Sequence, residues 1–248
     1  MVKEFEVRWE GELPAGPQEV WDAITRHSAG YMWTIEYEPW IGGAERGLTA
    51  GGGTVTAWAP LRHFSTRTRP ETERDGVNEL DYRLEPVGSA TYLRYVHRTA
   101  VPAGDYDRQL AACRHHTSFY QHSLGQYACH FAGREAAYVS VDGPESSPQG
   151  GFLALRRALG LAGDVVTGDR VRLTPAGLEP IDGVVDYVTG SFLGVRSADA
   201  LYRLYGRDTW GWPVGVALHL FGEDVDQAAS ERAWGDWVAG VFDGERVA

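Results

Sequence analysis

The sequence predicts an α+β protein: antiparallel strands, each set closed by a helix, in two successive units. Three observations carry that expectation. An alternating strand near the start runs through a proline-bracketed turn into a short amphipathic helix. Residues 78–101 read as a hairpin that leads directly into one long helix, 105–131. After residue 134 the same order of strand, helix, strands and closing helix recurs.

Each element has its own justification. Phe5, Val7 and Trp9 alternate with Glu4, Glu6, Arg8 and Glu10, the period-two pattern of a half-buried strand. Leu13-Pro14-Ala15-Gly16-Pro17 turns the chain, and 17–24 forms a helix with proline in its first turn, where no helical amide bond is lost. The segment 30–40 holds Tyr31, Trp33, Tyr37 and Trp40. Gly51-Gly52-Gly53 then reads as a turn into a strand over 54–69. It lacks the Lys-Ser/Thr of a phosphate loop and precedes a strand, so it is structural. Strands 78–86 and 90–101 are joined by Val87-Gly88-Ser89. Leu80, Tyr82 and Leu84 face one way, against Asp81, Arg83 and Glu85, and Leu93, Tyr95 and His97 face the same interior from the next strand. In the long helix Leu110, Cys113, Thr117, Tyr120, Leu124, Tyr127 and Phe131 recur at spacings of three and four and form one face.

The first strand, the bracketed turn and a helix carrying Val20-Trp21-Asp22-Ala23 resemble the start of the START-like superfamily, also called SRPBCC. Within it the resemblance is to the branch named after the activator of the heat-shock chaperone ATPase (AHSA-like). Leu-Glu-Pro-Val-Gly-Ser-Ala-Thr-Tyr-Leu at 84–93 is similar to that family's penultimate hairpin, and the long helix stands where its gripping helix stands. The resemblance implies a helix-grip (START/Bet v-like) fold, a curved antiparallel sheet around a long C-terminal helix with a cavity between them. It further implies a binding protein for a hydrophobic or aromatic small molecule, without covalent chemistry. Two alternatives come with it: an interaction module for the chaperone, or a polyketide cyclase/aromatase-like enzyme using His97 with Tyr82 or Tyr95 as acid and base.

The remainder reads as a worn repeat, dividing the chain into a START-like unit over 1–134 and a second, divergent one over 135–248. Its elements are a strand at 137–141, a helix at 152–161, strands at 170–174, 183–195, 200–207 and 214–221, and a closing helix at 224–241. Pro148-Gln149 echoes Pro17-Gln18, and 200–207 echoes 91–98, but Val-Trp-Asp-Ala is absent. Tyr187, Phe192, Tyr202, Trp210, Trp212 and Trp234 form either a second pocket or plain core, and core packing is the simpler reading.

Composition narrows the partners. A net charge of -11, with Lys3 the single lysine, argues against nucleic acid and anionic membrane, both of which need clustered positive charge. No run approaches a membrane-spanning length, and the N-terminus has no secretory apolar core. Cys113 and Cys129 lie about 24 Å apart along one helix, too far to bridge, which predicts reduced thiols and a cytoplasmic home. Cys113 on an apolar stripe reads as core. His115, His116, His122 and His130 share the long helix without the spacing that sets two imidazoles on one metal. No nucleophile elbow, dinucleotide fingerprint or P-loop occurs, and pairs such as Asp105 with Asp107 or Glu71 with Glu73 read as solvated or capping carboxylates. No catalytic residue, metal or cofactor is therefore assigned. What remains is an aromatic-lined space with scattered polar groups, for which Trp33, Trp58, Tyr82, Tyr95, His97, Thr117 and Tyr120 are the candidates. The expected partner is a small apolar or aromatic ligand, with a homodimer compatible.

Overall fold

The computed structural model describes residues 2–70, 76–161 and 163–243, and the chain splits into two compact units, Met1–Glu135 and Ala136–Ala248. Glu71 and Glu73 lie outside the described residues. In the first unit, β1 (Val2–Leu13) leads to α1 (Pro17–Thr25). Five strands then follow as a meander, β2 (Glu36–Tyr37), β3 (Ala44–Arg46), β4 (Gly53–Ala59), β5 (His63–Thr68) and β6 (Glu79–Val87). β7 (Ala90–Pro102) and α2 (Tyr106–His130) complete it. The sheet runs β1-β7-β6-β5-β4-β3-β2, so the first strand pairs with the last, antiparallel, from Val2 against Pro102 to Leu13 against Thr91. The Thr91 hydroxyl donates to the Ala15 carbonyl at 2.9 Å and ties the turn before α1 to β7.

α2 starts three residues after β7 and folds back across β1 and β7, with α1 packed beside it. Phe5, Val7, Leu80, Tyr82, Leu84, Leu93 and Tyr95 are buried on the sheet's inner face, in the alternation the sequence predicts. A curved antiparallel sheet gripping a long helix that follows its last strand is the helix-grip fold. Two details differ from expectation. The strand expected over 54–69 is a hairpin, β4 and β5, turned at Pro60-Leu61-Arg62 with Leu61 at φ 63°, a left-handed conformation that a leucine seldom signals. β4 also carries a bulge at Thr56, between Val55 and Ala57. The extra residue puts Val55 and Trp58 on the same side despite their odd separation.

In the second unit, β8 (Ala137–Asp142) and α3 (Gly151–Ala158) precede β9 (Arg170–Leu173), β10 (Ile181–Val188), β11 (Phe192–Arg196), β12 (Ala200–Tyr205) and β13 (Gly215–Leu220), and α4 (Gln227–Asp243) closes it. The sheet order is β8-β13-β12-β11-β10-β9, again with first strand against last. The strand expected over 183–195 is in fact two. Its apolar run hides a turn in which the Thr189 hydroxyl accepts the Ser191 and Phe192 amides. α3 and α4 cover one sheet face, where Leu155, Val185, Tyr202, Leu218, Trp234 and Trp237 share one core. Among the described residues no helix is long and apolar enough to cross a membrane.

On the opposite face of that sheet Arg203, fully buried, donates from Nη1 to both carboxylate oxygens of Asp186 at 2.8 and 2.9 Å. Gly194 lies opposite Arg203 on β11, and a Cβ there would sit 2.2 Å from the Asp186 carboxylate, so glycine makes room for the pair. Removing one member of a buried pair strands the other charge. Asp186→Ala is expected to lower unfolding free energy by about 3–5 kcal/mol in urea titrations, and Asp186→Leu combined with Arg203→Met to recover most of the loss.

Candidate functional site

The inner face of the first sheet and the facing stretch of α2 bring the sequence candidates together in three linked groups. Tyr82 and Tyr95, cross-strand partners on β6 and β7, stand with ring centroids 4.8 Å apart. Phe64 on β5 stacks on Tyr82 at 5.9 Å and meets Trp58 edge-on at 5.7 Å. Trp58, aimed inward by the bulge, also meets Trp21 of α1 at 5.1 Å. On the helix side Tyr120 packs edge-on against Trp33 at 5.7 Å, and the Trp33 indole donates to the Gly47 carbonyl at 2.8 Å.

The third group is polar. His97 Nε2 lies 2.9 Å from Asn78 Oδ1, and His97 Nδ1 lies 3.2 Å from Cys113 Sγ. Cys113 in turn stands 4.0 Å from the Thr117 hydroxyl, one turn along α2. The imidazole is thus spanned between β6's leading residue and the helix. The partners the structure gives His97 are Asn78 and Cys113, neither of which the sequence reading places beside it. Cys113 itself is not plain core: it is half-buried and faces an imidazole.

Phenols dominate what lies between these groups. Tyr31 and Tyr82 are almost fully buried, and the phenols of Tyr31 and Tyr95 interact electrostatically with that of Tyr82. Burial pushes Tyr82 up to about 12 and Tyr31, Tyr37 and Tyr95 well above the ordinary phenol value. Tyr95 also feels Cys113 and Tyr120, which joins the three groups around one ring. Glu45, on the short strand β3, is 1% exposed, and burial raises its pKa although its Oε1 accepts the Leu48 amide at 2.8 Å. Burial likewise pushes the Cys113 thiol up to about 11 and His97 down to about 4. At neutral pH thiol and imidazole are both uncharged.

Sequence reasoning missed Tyr31, Tyr37, Phe64, Asn78 and Cys113 as members. Tyr31 sits outside any periodic element, Asn78 stands at a strand's first position, and Cys113 shares its helical stripe with core residues. A groove of about 600 Å³ opens at the end of this sheet, lined in part by Phe5, Val77, Glu79 and Thr99. Phe5 and Thr99 are cross-strand partners one inward-facing step beyond Val7 and His97, and Val77 and Glu79 flank Asn78. Glu4, Glu6, Arg67 and Arg98 line it as well, so its walls are largely charged, and His97, Asn78 and Cys113 are not among its lining residues. In the second unit the six aromatics split. Tyr202 and Trp234 stack on the helix side at 5.9 Å, while Phe192, Trp210 and Trp212 form a chain beside Tyr205. Tyr202 and Tyr205 are an odd number of positions apart on one strand, so these are opposite faces and not one pocket. Among the described residues no group of three or more His, Cys, Asp or Glu could hold a metal ion.

The first unit thus has the helix-grip fold that the resemblance of Val20-Trp21-Asp22-Ala23 implies. No family model and no curated protein matches the chain. Among solved structures it is similar to Aha1 of Colwellia psychrerythraea, a dimer, at 17% identity and TM-score 0.41 over 50% of this chain and 96% of that one. It is similar to CalU16 of Micromonospora echinospora at 16% and 0.39, over 52% and 86%. It is also similar to DynU16, from the dynemicin biosynthetic locus, at 15% and 0.40, over 97% and 98%.

The His97 environment has a pH consequence. Its folded-state pKa lies below the unfolded value near 6.5, so the unfolded chain binds the proton first as pH falls. The contribution of neutral His97 is fully present above about pH 6.5 and is lost towards about pH 4. Wild-type Tm should fall over that window, and His97→Gln should flatten the fall.

Proposed function

We propose that the first unit is a receptor for a small apolar or aromatic molecule held between the sheet and α2. The observation that carries this reading is the meeting of the Tyr31, Tyr82 and Tyr95 phenols with one another in the buried interior. A core that only had to be filled would gain as much from phenylalanine, because a buried hydroxyl without full partners costs free energy. Phenols that share partners keep hydrogen-bonding capacity for a guest, while Trp33, Trp58 and Tyr120 supply apolar contact, the usual division of labour in a ligand site. Half-buried His97 and buried Thr117 add polar groups at one side.

The tandem organisation belongs to the same proposal: 1–134 and 135–248 are two START-like units, the second divergent. Its support is topological. Each sheet pairs its first strand with its last, each first strand is followed by a helix, and each last strand leads into the closing helix. A cytoplasmic home is supported by two free cysteines.

The test is a thermal-shift and native mass-spectrometry screen against planar aromatic and lipid-like compounds. At least one class should bind one-to-one and raise Tm. Tyr82→Phe should weaken that binding about fivefold, the worth of one hydrogen bond. A screen in which nothing binds, or in which Tyr82→Phe and Tyr95→Phe leave affinity unchanged, overturns the reading.

A further inference from the structure

Asn78, His97 and Cys113 form an ordered chain of three groups from two sheet positions and one helix, with contacts of 2.9 and 3.2 Å. With Asn78 Oδ1 as acceptor, His97 carries its proton on Nε2 and turns the lone pair of Nδ1 towards the Cys113 thiol. A nucleophile, a base and a group that orients the base is the arrangement of an activated thiol. We propose that Cys113 captures an electrophilic ligand covalently, by conjugate addition to an α,β-unsaturated carbonyl compound, with His97 as the base. The inference rests on the ligand space described above and extends the sequence expectation, which foresaw binding without covalent chemistry.

The step balances within the three groups and the ligand. Cys113 Sγ forms a bond to the β-carbon as the thiol proton passes to His97 Nδ1. The alkene π pair shifts to the enolate, and the imidazolium returns that proton to the α-carbon. The product is a thioether, His97 ends neutral, and no oxidant or further reactant enters.

The surroundings favour this order of events. From α2, Cys113 faces His97; β1 and β6 set Val7 and Leu80 against it; Tyr95 is two positions along its own strand. These neighbours offer the imidazole no carboxylate, and burial keeps thiol and imidazole neutral at rest. The thiol therefore does not rest as a thiolate, and its proton leaves as the carbon–sulfur bond forms. Both residues are only half-buried.

The test uses the full chain with Cys129→Ser, which leaves Cys113 as its one thiol, and N-ethylmaleimide as the conjugate acceptor. Labelling is followed by intact mass between about pH 6 and 8.5. A thiol that reacts only as free thiolate slows about tenfold for each pH unit lost, whereas a thiol served by a neutral base does not. We expect a rate that changes less than about threefold over this range, and a fall of about a hundredfold at pH 6.5 in His97→Gln, the usual scale of general-base help. The pH profile of the Cys129→Ser protein decides alone should His97→Gln not fold. Asn78→Asp, which makes the imidazole more basic, should speed labelling. A rate that climbs tenfold per pH unit, or a folded protein whose Cys113 takes no label, overturns the proposal. Because the maleimide is small and not a planar aromatic guest, labelling can succeed where the aromatic screen fails, and the reverse, so the two readings fall separately.

Discussion

The pairing of β1 with β7 sets the geometry of the first unit. These strands are separated by most of the unit's length, and bringing them together costs loop-closure entropy that grows slowly with the intervening chain. Twelve residue pairs and the burial of Phe5, Val7, Leu13, Leu93 and Tyr95 offset it. Once the pairing is made, little else is free. The meander of β2 to β6 must occupy the other side of β7, and α2, beginning three residues beyond β7, can bury its apolar stripe only by folding back over the two strands it has just left. His97 and Cys113, sixteen positions apart in sequence, are thereby placed face to face.

That placement produces an interior with an uneven character. Where α1 meets β4 and β5, Trp21, Trp58 and Phe64 make edge contacts and leave polar atoms few. Towards the other end the same layer holds three phenols, an imidazole, a thiol and a threonine. In a low-dielectric space such groups stay neutral and hydrogen-bond one another, because charging any one of them is penalised by lost hydration. Burial raises the phenols and the thiol and lowers the imidazole, all in the direction that removes charge. Neutral donors and acceptors suit an apolar guest with a few polar atoms better than an ionic one.

Period-two alternation made β1, β6 and β7 legible, and the three-four stripe made α2 legible, because each buries one face only. Trp58 was placed in the candidate group from its aromatic character alone; what aims it inward is the bulge at Thr56, which no alternation pattern displays. The hairpin at Leu61 carries no glycine to announce it, and the turn at Thr189-Gly190-Ser191 was hidden by the apolar residues that run on either side of it. Asn78 is the first residue of the strand expected over 78–86 and lies just before β6; an asparagine at a strand start does not announce a histidine partner on the neighbouring strand. Cys113 occupies a helical stripe shared with Leu110, Thr117 and Leu124, and periodicity cannot distinguish a residue that packs from one that packs and also meets an imidazole.

The two units share a strand order but not an interior. On β7 the inward positions near the closing helix are Leu93, Tyr95 and His97; on β13 they are Val216, Leu218 and Leu220. α2 brings Cys113, Thr117 and Tyr120 to that space, whereas α4 brings Trp234, Trp237 and Val238, with Tyr202 stacked on the first of them. Indoles fill volume that small and polar side chains leave, so the second core is packed by large aromatics while the first carries hydrogen-bonding groups. One topology thus supports two outcomes, and the difference is set by a few side chains on the last strand and the helix after it. The candidate chemistry follows those side chains, not the fold, and that is why it resides in the first unit.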